Sequence, residues 1–364
     1  IRELAEMKSL RAYPRVEDFL KKLQGGEEEL ADLSTAERTE GKKACEAAIE
    51  SIGDHQTFVD RVGNAFRGIS YGSVLILMAL GLAITFGLMG VINMAHGELM
   101  MIGAYVTYEM QLAFGHTPDN PVDGYYLAAL PAAFLAAAFV GLIMEWLVVR
   151  HLYNRPLESL LATWGVGLIL IQIARVIYGD NIGVNAPTWA RGGWEVTQDV
   201  ILPYARLYLL GLCAACVGFV YFIMRRTKQG MLMRATMQNR DMAESLGVRT
   251  RNVDRFTFAL GSGIAGVAGY GWTIIGGVTP DMGQTNFIVD SFLVVVTGGV
   301  GELAGVICAG LGIGAITKTI EPIEFGDFLV GPVWAKVVLL GLIVAFIQFR
   351  PSGLFAPKGR AADD

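Results

Sequence analysis

Asn93, His96 and Glu98 fall within the six-residue run Asn93-Met94-Ala95-His96-Gly97-Glu98, which interrupts a long apolar stretch from Ile69 to Thr107. An amide, an imidazole and a carboxylate this close together can hydrogen-bond a neutral polar solute, pass a proton, or supply part of a catalytic site. Catalysis needs more than this pair of titratable groups. No nucleophile or set of metal ligands accompanies His96 and Glu98, and no HExxH motif occurs. A purely structural reading also fits: Asn93 ends one helix, Gly97 bends the chain, and Glu98 sits in the first turn of the next helix, where the helix dipole favours an acid. The two readings are compatible, because broken helices are where transporters expose backbone dipoles.

The elements that must position these groups are membrane spans. About 20 helical residues cross a hydrocarbon core, and a charged side chain at its centre costs at least about 2.5–3.5 kcal/mol. Apolar segments run at 66–90, 92–113, 125–149, 158–178, 205–224, 256–277, 287–319 and 332–349. The expected fold is therefore an all-α polytopic membrane protein of eight to nine transmembrane helices with broken or hairpin segments. Segment 287–319 is too long for one simple span and contains Gly298-Gly299-Val300-Gly301-Glu302. It reads as two short spans or a broken helix; the first reading gives nine crossings. Gly97-Glu98-Leu99 recurs there as Gly301-Glu302-Leu303, so Glu98 and Glu302 are expected at related breaks on the transport path.

Of the 364 residues 53% are hydrophobic, and the net charge is −5. Residues 1–65 hold 10 of the 29 Lys+Arg and 14 of the 34 Asp+Glu, which marks a boundary near residue 65. We read 1–65 as a short, polar, helical extracytoplasmic segment, 66–350 as the transmembrane domain, and 351–364 as a cytoplasmic tail. Ser34-Thr35-Ala36-Glu37 fits a capping box that opens a helix through Ala44, Ala47, Ala48 and Ile52, with Gly53 as its expected end. The chain begins with Ile rather than Met, so processing or truncation is expected at its start. Cys45, Cys213, Cys216 and Cys308 form no disulfide framework, and three of them lie in apolar runs.

Loop 225–255 carries eight Lys/Arg against three acids and is expected on the cytoplasmic side; counting back places residues 1–65 outside. Within it, 231–246 reads as one helix with Leu232, Ala235, Met242 and Leu246 on one face, made too polar to span by Arg234, Asn239, Arg240, Asp241 and Glu244. Gly230 precedes it and Gly247 follows as a C-terminal cap. Such a helix lies on the membrane or docks a cytoplasmic partner; its mixed charge suits a protein groove better than an anionic lipid surface.

Three motifs are decoys. Gly261-Ser262-Gly263-Ile264-Ala265-Gly266 matches GxGxxG but has no preceding strand, so close helix packing explains it better than a dinucleotide site. Cys213-Ala214-Ala215-Cys216 lies inside a span, and Gly312–Thr319 lacks the second glycine of an ATP-binding loop. Nothing points to nucleic acid.

The stretch INMAHGELMMIGAY at 92–105 resembles the hallmark of the branched-chain amino acid (LivH-like) class of ABC permeases, and TKQGMLMRATMQNRDMAESLGV at 227–248 resembles that family's cytoplasmic coupling loop. PLESLLATWGVGLILIQ at 156–172, DSFLVVVTGGVGELAG at 290–305 and RPSGLFAPKGR at 350–360 are similar to the urea-permease (UrtB-like) branch. The resemblance covers about 65–360. It implies a multi-pass inner-membrane importer subunit, with no catalytic residue and no cofactor of its own. Its implied partners are a second permease subunit of the same class, two cytoplasmic ATPase subunits that use ATP and Mg, and a periplasmic binding protein. By motif position Asn93, His96 and Glu98 become path or gate residues. Gly230, Leu232, Arg234, Ala235, Asn239, Leu246 and Gly247 become coupling residues. Urea is neutral and rich in donors and acceptors, so its path needs hydrogen-bonding groups without a fixed counter-charge; Thr163, Trp164 and Gln172 are candidates. Branched-chain amino acids or short amides are the alternative solutes, and a stand-alone channel or carrier is the alternative class.

Overall fold

The computed structural model describes residues 13–25, 35–153, 155–197, 200–325, 328–329, 331–351 and 353–355. Ser34 and most of the expected tail lie outside the described residues. Among those described, the chain is almost wholly helical, as the apolar runs require. The helices are α1 (Tyr13–Gly25), α2 (Thr35–Met89), α3 (His96–Ala113), α4 (Gly124–Leu147), α5 (Pro156–Tyr178), α6 (Tyr204–Arg226), α7 (Lys228–Gln238), α8 (Arg240–Ser245), α9 (Thr250–Trp272), α10 (Ile288–Gly298), α11 (Leu303–Ile320) and α12 (Gly331–Phe349). Two short antiparallel or paired strand segments join helices: β1 (Gly193–Thr197) with β2 (Val200–Pro203), and β3 (Glu324–Phe325) with β4 (Phe328–Leu329).

The expected stop at Gly53 is overturned: α2 continues through it to Met89. One glycine inside a helix costs about 1 kcal/mol, and the residues on both sides favour helix.

The chain divides into two compact units, one ending at Phe66 and including Trp194–Leu202, the other made of the remainder. In the first, Val16, Phe19 and Leu20 of α1 pack on Cys45, Ala48 and Ile49 of α2.

The second unit is built on small residues. Lipid tails are as apolar as leucine, so membrane helices gain by close backbone approach rather than by escape from water. α9 lies against α3 and α4, which also pack on each other. Gly103 of α3 meets the backbone of Gly266, and Gly269 meets the carbonyl of Met100. Gly263 faces the Phe134 ring, and Gly266 faces Ala133 and Ala137. The GxGxxG stretch is thus a packing surface on three sides. α2 is fitted in the same way: Gly68 and Gly72 against Ala315 and Gly310 of α11, Gly81 against Gly261 of α9.

Among the described residues, six helices are long and apolar enough to cross a membrane: α2, α4, α5, α6, α11 and α12. Segment 287–319 is resolved into two helices with a turn at Gly299–Glu302, the left-handed φ of +102° at Gly299 and +84° at Gly301 reversing the chain. α10 is 11 residues long, about 17 Å, roughly half a hydrocarbon core. A π turn, Gly283–Phe287, leads into it.

The single helix expected over 231–246 is also corrected. Asn239 leaves helical geometry (φ −155°, ψ 105°) and its Oδ1 accepts the Met242 N–H at 2.9 Å, so one helix becomes two, α7 and α8. Asn caps a new helix more readily than it continues an old one.

Candidate functional site

The first break is built by α2, α3 and α5. Gly90, with φ +66°, turns the chain out of α2. Asn93 Oδ1 then accepts the Ala95 N–H at 3.1 Å, and α3 starts at His96. The His96 ring reaches back along α2, where Nε2 donates to the Met78 carbonyl at 3.2 Å beside Gly81. A ring nitrogen facing a carbonyl must carry the proton, so a neutral ring has Nδ1 as its bare acceptor. Thr163 of α5 pins the turn from the other side. Its hydroxyl accepts the Met94 N–H at 3.1 Å and donates to the Ser159 carbonyl at 2.8 Å. Glu98 lies against Gly167, whose absent side chain makes room: a Cβ there would stand 3.1 Å from the carboxyl carbon. Gly97 packs backbone to backbone on Gly283 of the π turn.

Asn93, His96 and Glu98 are 1%, 0% and 2% exposed. Asn93 Nδ2, His96 Nδ1 and Glu98 Oε2 have no hydrogen-bond partner. Buried polar atoms are normally paired, so three orphans within six residues set this break apart from the packed helices around it. The break offers a donor in the amide and acceptors in the carboxylate and ring.

The other path candidates divide. Thr163 belongs to the break. Trp164 and Gln172 lie on the opposite, exposed stripe of α5 with Leu168 and do not meet it. Glu302 stands at the N-cap of α11 without a side-chain capping bond, and it is half-buried. Its neighbour Gly301 approaches Gly87 near the end of α2, under the Met237 side chain. Both breaks therefore adjoin the C-terminal half of α2, Gly81 beside His96 and Gly87 beside Gly301.

Of the coupling candidates, Gly230 packs on the last carbonyls of α6, and its N–H is bonded to Thr227 Oγ1 at 3.1 Å. Leu232 turns inward onto the bundle, away from the face assigned to it. Arg234 and Ala235 are exposed, Asn239 is the exposed cap of α8, and Leu246 is 78% exposed. Gly247, at φ +85°, ends α8: its N–H bonds the Glu244 carbonyl, and Val248 N–H bonds that of Ala243. Met224, Met233 and Met237 form a soft apolar joint between α7, the end of α6 and Gly301.

Some groups were missed. Gly68-Ile69-Ser70-Tyr71-Gly72 has the GxSxG spacing of a nucleophile elbow, but it lies inside α2 with both glycines packed on α11, so no strand-to-helix turn exposes Ser70. Asp290 accepts from the Tyr71 hydroxyl at 2.8 Å and faces Lys336 at 4.0 Å. Asp254 and Glu145 are buried acids whose partners are basic or phenolic. An acid inside an apolar run was the available signal for each.

The chain matches the family described as branched-chain amino acid transport system / permease component over residues 64–347. It belongs to this branched-chain amino acid ABC permease family. The permease is 27% identical over 294 residues to the high-affinity branched-chain amino acid transport system permease protein BraD of Pseudomonas aeruginosa, covering 79% of this chain and 93% of BraD. LivH of Escherichia coli K12 is 27% identical over 304 residues, again covering 79% and 93%. LivM of the same organism is 26% identical over 307 residues, 77% of this permease and 67% of LivM. No solved structure matches.

Proposed function

We propose that this permease is the membrane-spanning subunit of an ABC importer in a bacterial inner membrane, and that it forms a path for urea together with a second permease subunit of its class. Two cytoplasmic ATPase subunits, holding ATP and Mg, drive transport, and a periplasmic binding protein delivers the solute. The observation that carries this reading is the α7–α8 pair. These short helices are seated on the bundle through Gly230 and the methionine joint, yet turn Met231, Arg234, Ala235, Met242 and Leu246 outward. A stand-alone channel or carrier has no use for such a face. The basic excess of 225–255 supports placing it in the cytoplasm, and residues 1–65 on the periplasmic side.

Urea fits the first break because it offers both donors and an acceptor without net charge, matching the orphaned amide of Asn93 and carboxylate of Glu98. The names of BraD and LivH favour a second reading, branched-chain amino acids. Such a solute needs a separate cation for its carboxylate, and His96, the basic group of the break, is bonded to Met78.

Ala235→Glu tests the docking face. Ala235 is exposed, so the fold tolerates the new side chain, but an unpaired charge pressed into a protein cleft costs several kcal/mol. Uptake should fall to background while the amount of protein in the membrane stays unchanged. Cysteines placed at Met231 and Leu246 should crosslink to an ATPase subunit. Crosslinks to lipid alone, or full uptake by Ala235→Glu, would remove this reading.

A further inference from the structure

Arg240 opens α8 and lays its guanidinium fork on Asp254 of α9, Nη1 to Oδ1 at 3.2 Å and Nη2 to Oδ2 at 2.5 Å. The Asp254 side chain is fully buried and that of Arg240 is one third exposed, 33%. The guanidinium sits 5.4 Å from the Tyr153 ring centre. The Tyr153 hydroxyl donates to Glu145 Oε1 at 2.7 Å, and Arg255 Nε stands 3.6 Å from Glu145 Oε2. Glu244 closes the group, 3.8 Å from Arg240 Nε and accepting from the Thr250 hydroxyl at 2.5 Å. One network thus joins α8, the start of α9, the end of α4 and the turn before α5.

The two attachments of the α7–α8 pair differ in kind. The methionine joint of α7 is apolar and adaptable, and flexible thioethers accept sliding. A planar fork on a carboxylate fixes distance and direction together. α9 is also the helix whose glycines touch α2, α3 and α4. Movement handed to α9 at Asp254 meets Gly81, beside which the His96 ring lies.

We propose that Arg240 is a positioning residue: its fork on Asp254 makes α8 and α9 move as one body, so that displacement of the exposed α7–α8 face reaches the first break instead of being absorbed in the loop. This rests on the reading that an ATPase docks on that face. The sequence places Arg240 among ordinary loop cations; the buried carboxylate it meets gives it this separate role.

The test uses the complete transporter in proteoliposomes, with uptake and ATP hydrolysis measured in the same vesicles. Arg240→Lys keeps the charge that neutralises Asp254 but has no fork, so it should fold. Uptake per ATP hydrolysed should drop about tenfold, within the range expected when one coupling contact is lost, while the ATPases remain bound and basal hydrolysis continues. The reversed pair, Arg240→Asp with Asp254→Arg, should recover most of the wild-type ratio. A merely structural role would lower yield and leave the ratio alone. Wild-type ratios in Arg240→Lys overturn the proposal, as does a reversed pair that folds and stays uncoupled. If the wild-type permease binds no ATPase, the functional reading falls and this proposal with it; a bound ATPase with unchanged coupling sinks the proposal alone.

Discussion

Gly103→Leu is expected to lower the thermal stability of the permease and its yield of folded protein. A side chain at this position points into the backbone of Gly266, and its first carbon would overlap the carbonyl there. A flexible neighbour could swing aside; a helix backbone cannot. Overpacking a well-packed interior costs about 1–3 kcal/mol and more when backbone is the obstacle. In a chain of 364 residues, at about 2.1 cal/mol/K of unfolding entropy per residue, about 3 kcal/mol lowers the thermal midpoint by roughly 4 °C. The control is Gly165→Leu, because Gly165 on α5 has open space where its side chain would go. Thermal unfolding in detergent, with gel filtration of the solubilised protein, separates the two. Equal behaviour of both variants would mean that α3 and α9 do not meet through Gly103 and Gly266.

Glu98→Gln should produce the opposite pattern, a sound fold and poor transport. The carboxylate is buried and its Oε2 has no partner in the protein. Burying an unpaired charge is costly, whereas an amide of the same shape costs less. The thermal midpoint should stay level or rise. Transport should fall at least about tenfold, because a hydrogen bond to a charged group is worth about 1.5–3 kcal/mol and the amide supplies a weaker acceptor. A variant that unfolds would show that the charge anchors the start of α3 instead. A variant that transports normally would remove Glu98 from the path.

Much of this arrangement is legible in the sequence. The apolar runs announce membrane helices, and the polar residues at 93–98, Glu98 above all, are costly in lipid, so a break there is expected. Gly247 reads correctly as a cap because a left-handed turn after a helix has few other solutions. The missed features have tertiary causes. Thr163 and Trp164 are neighbours in sequence but point about 100° apart around a helix, so only the packing of α5 against the break tells which one meets it. Leu232 reads as part of an outward face until α7 is seated on the bundle, and Asn239 splits the helix because its side chain caps α8. Asp254 reads as a loop acid; its meaning depends on Arg240 arriving 14 residues earlier in the chain from another helix.

ATP hydrolysis in partner subunits is proposed to drive urea through this permease. The most direct measurement is ATP hydrolysis and labelled-urea uptake by the purified complex in proteoliposomes, on addition of its binding protein loaded with urea or with leucine. Urea-loaded binding protein should raise hydrolysis and uptake together, and leucine-loaded binding protein should not. Hydrolysis and uptake indifferent to urea, or a purified complex without ATPase subunits, would contradict this proposal.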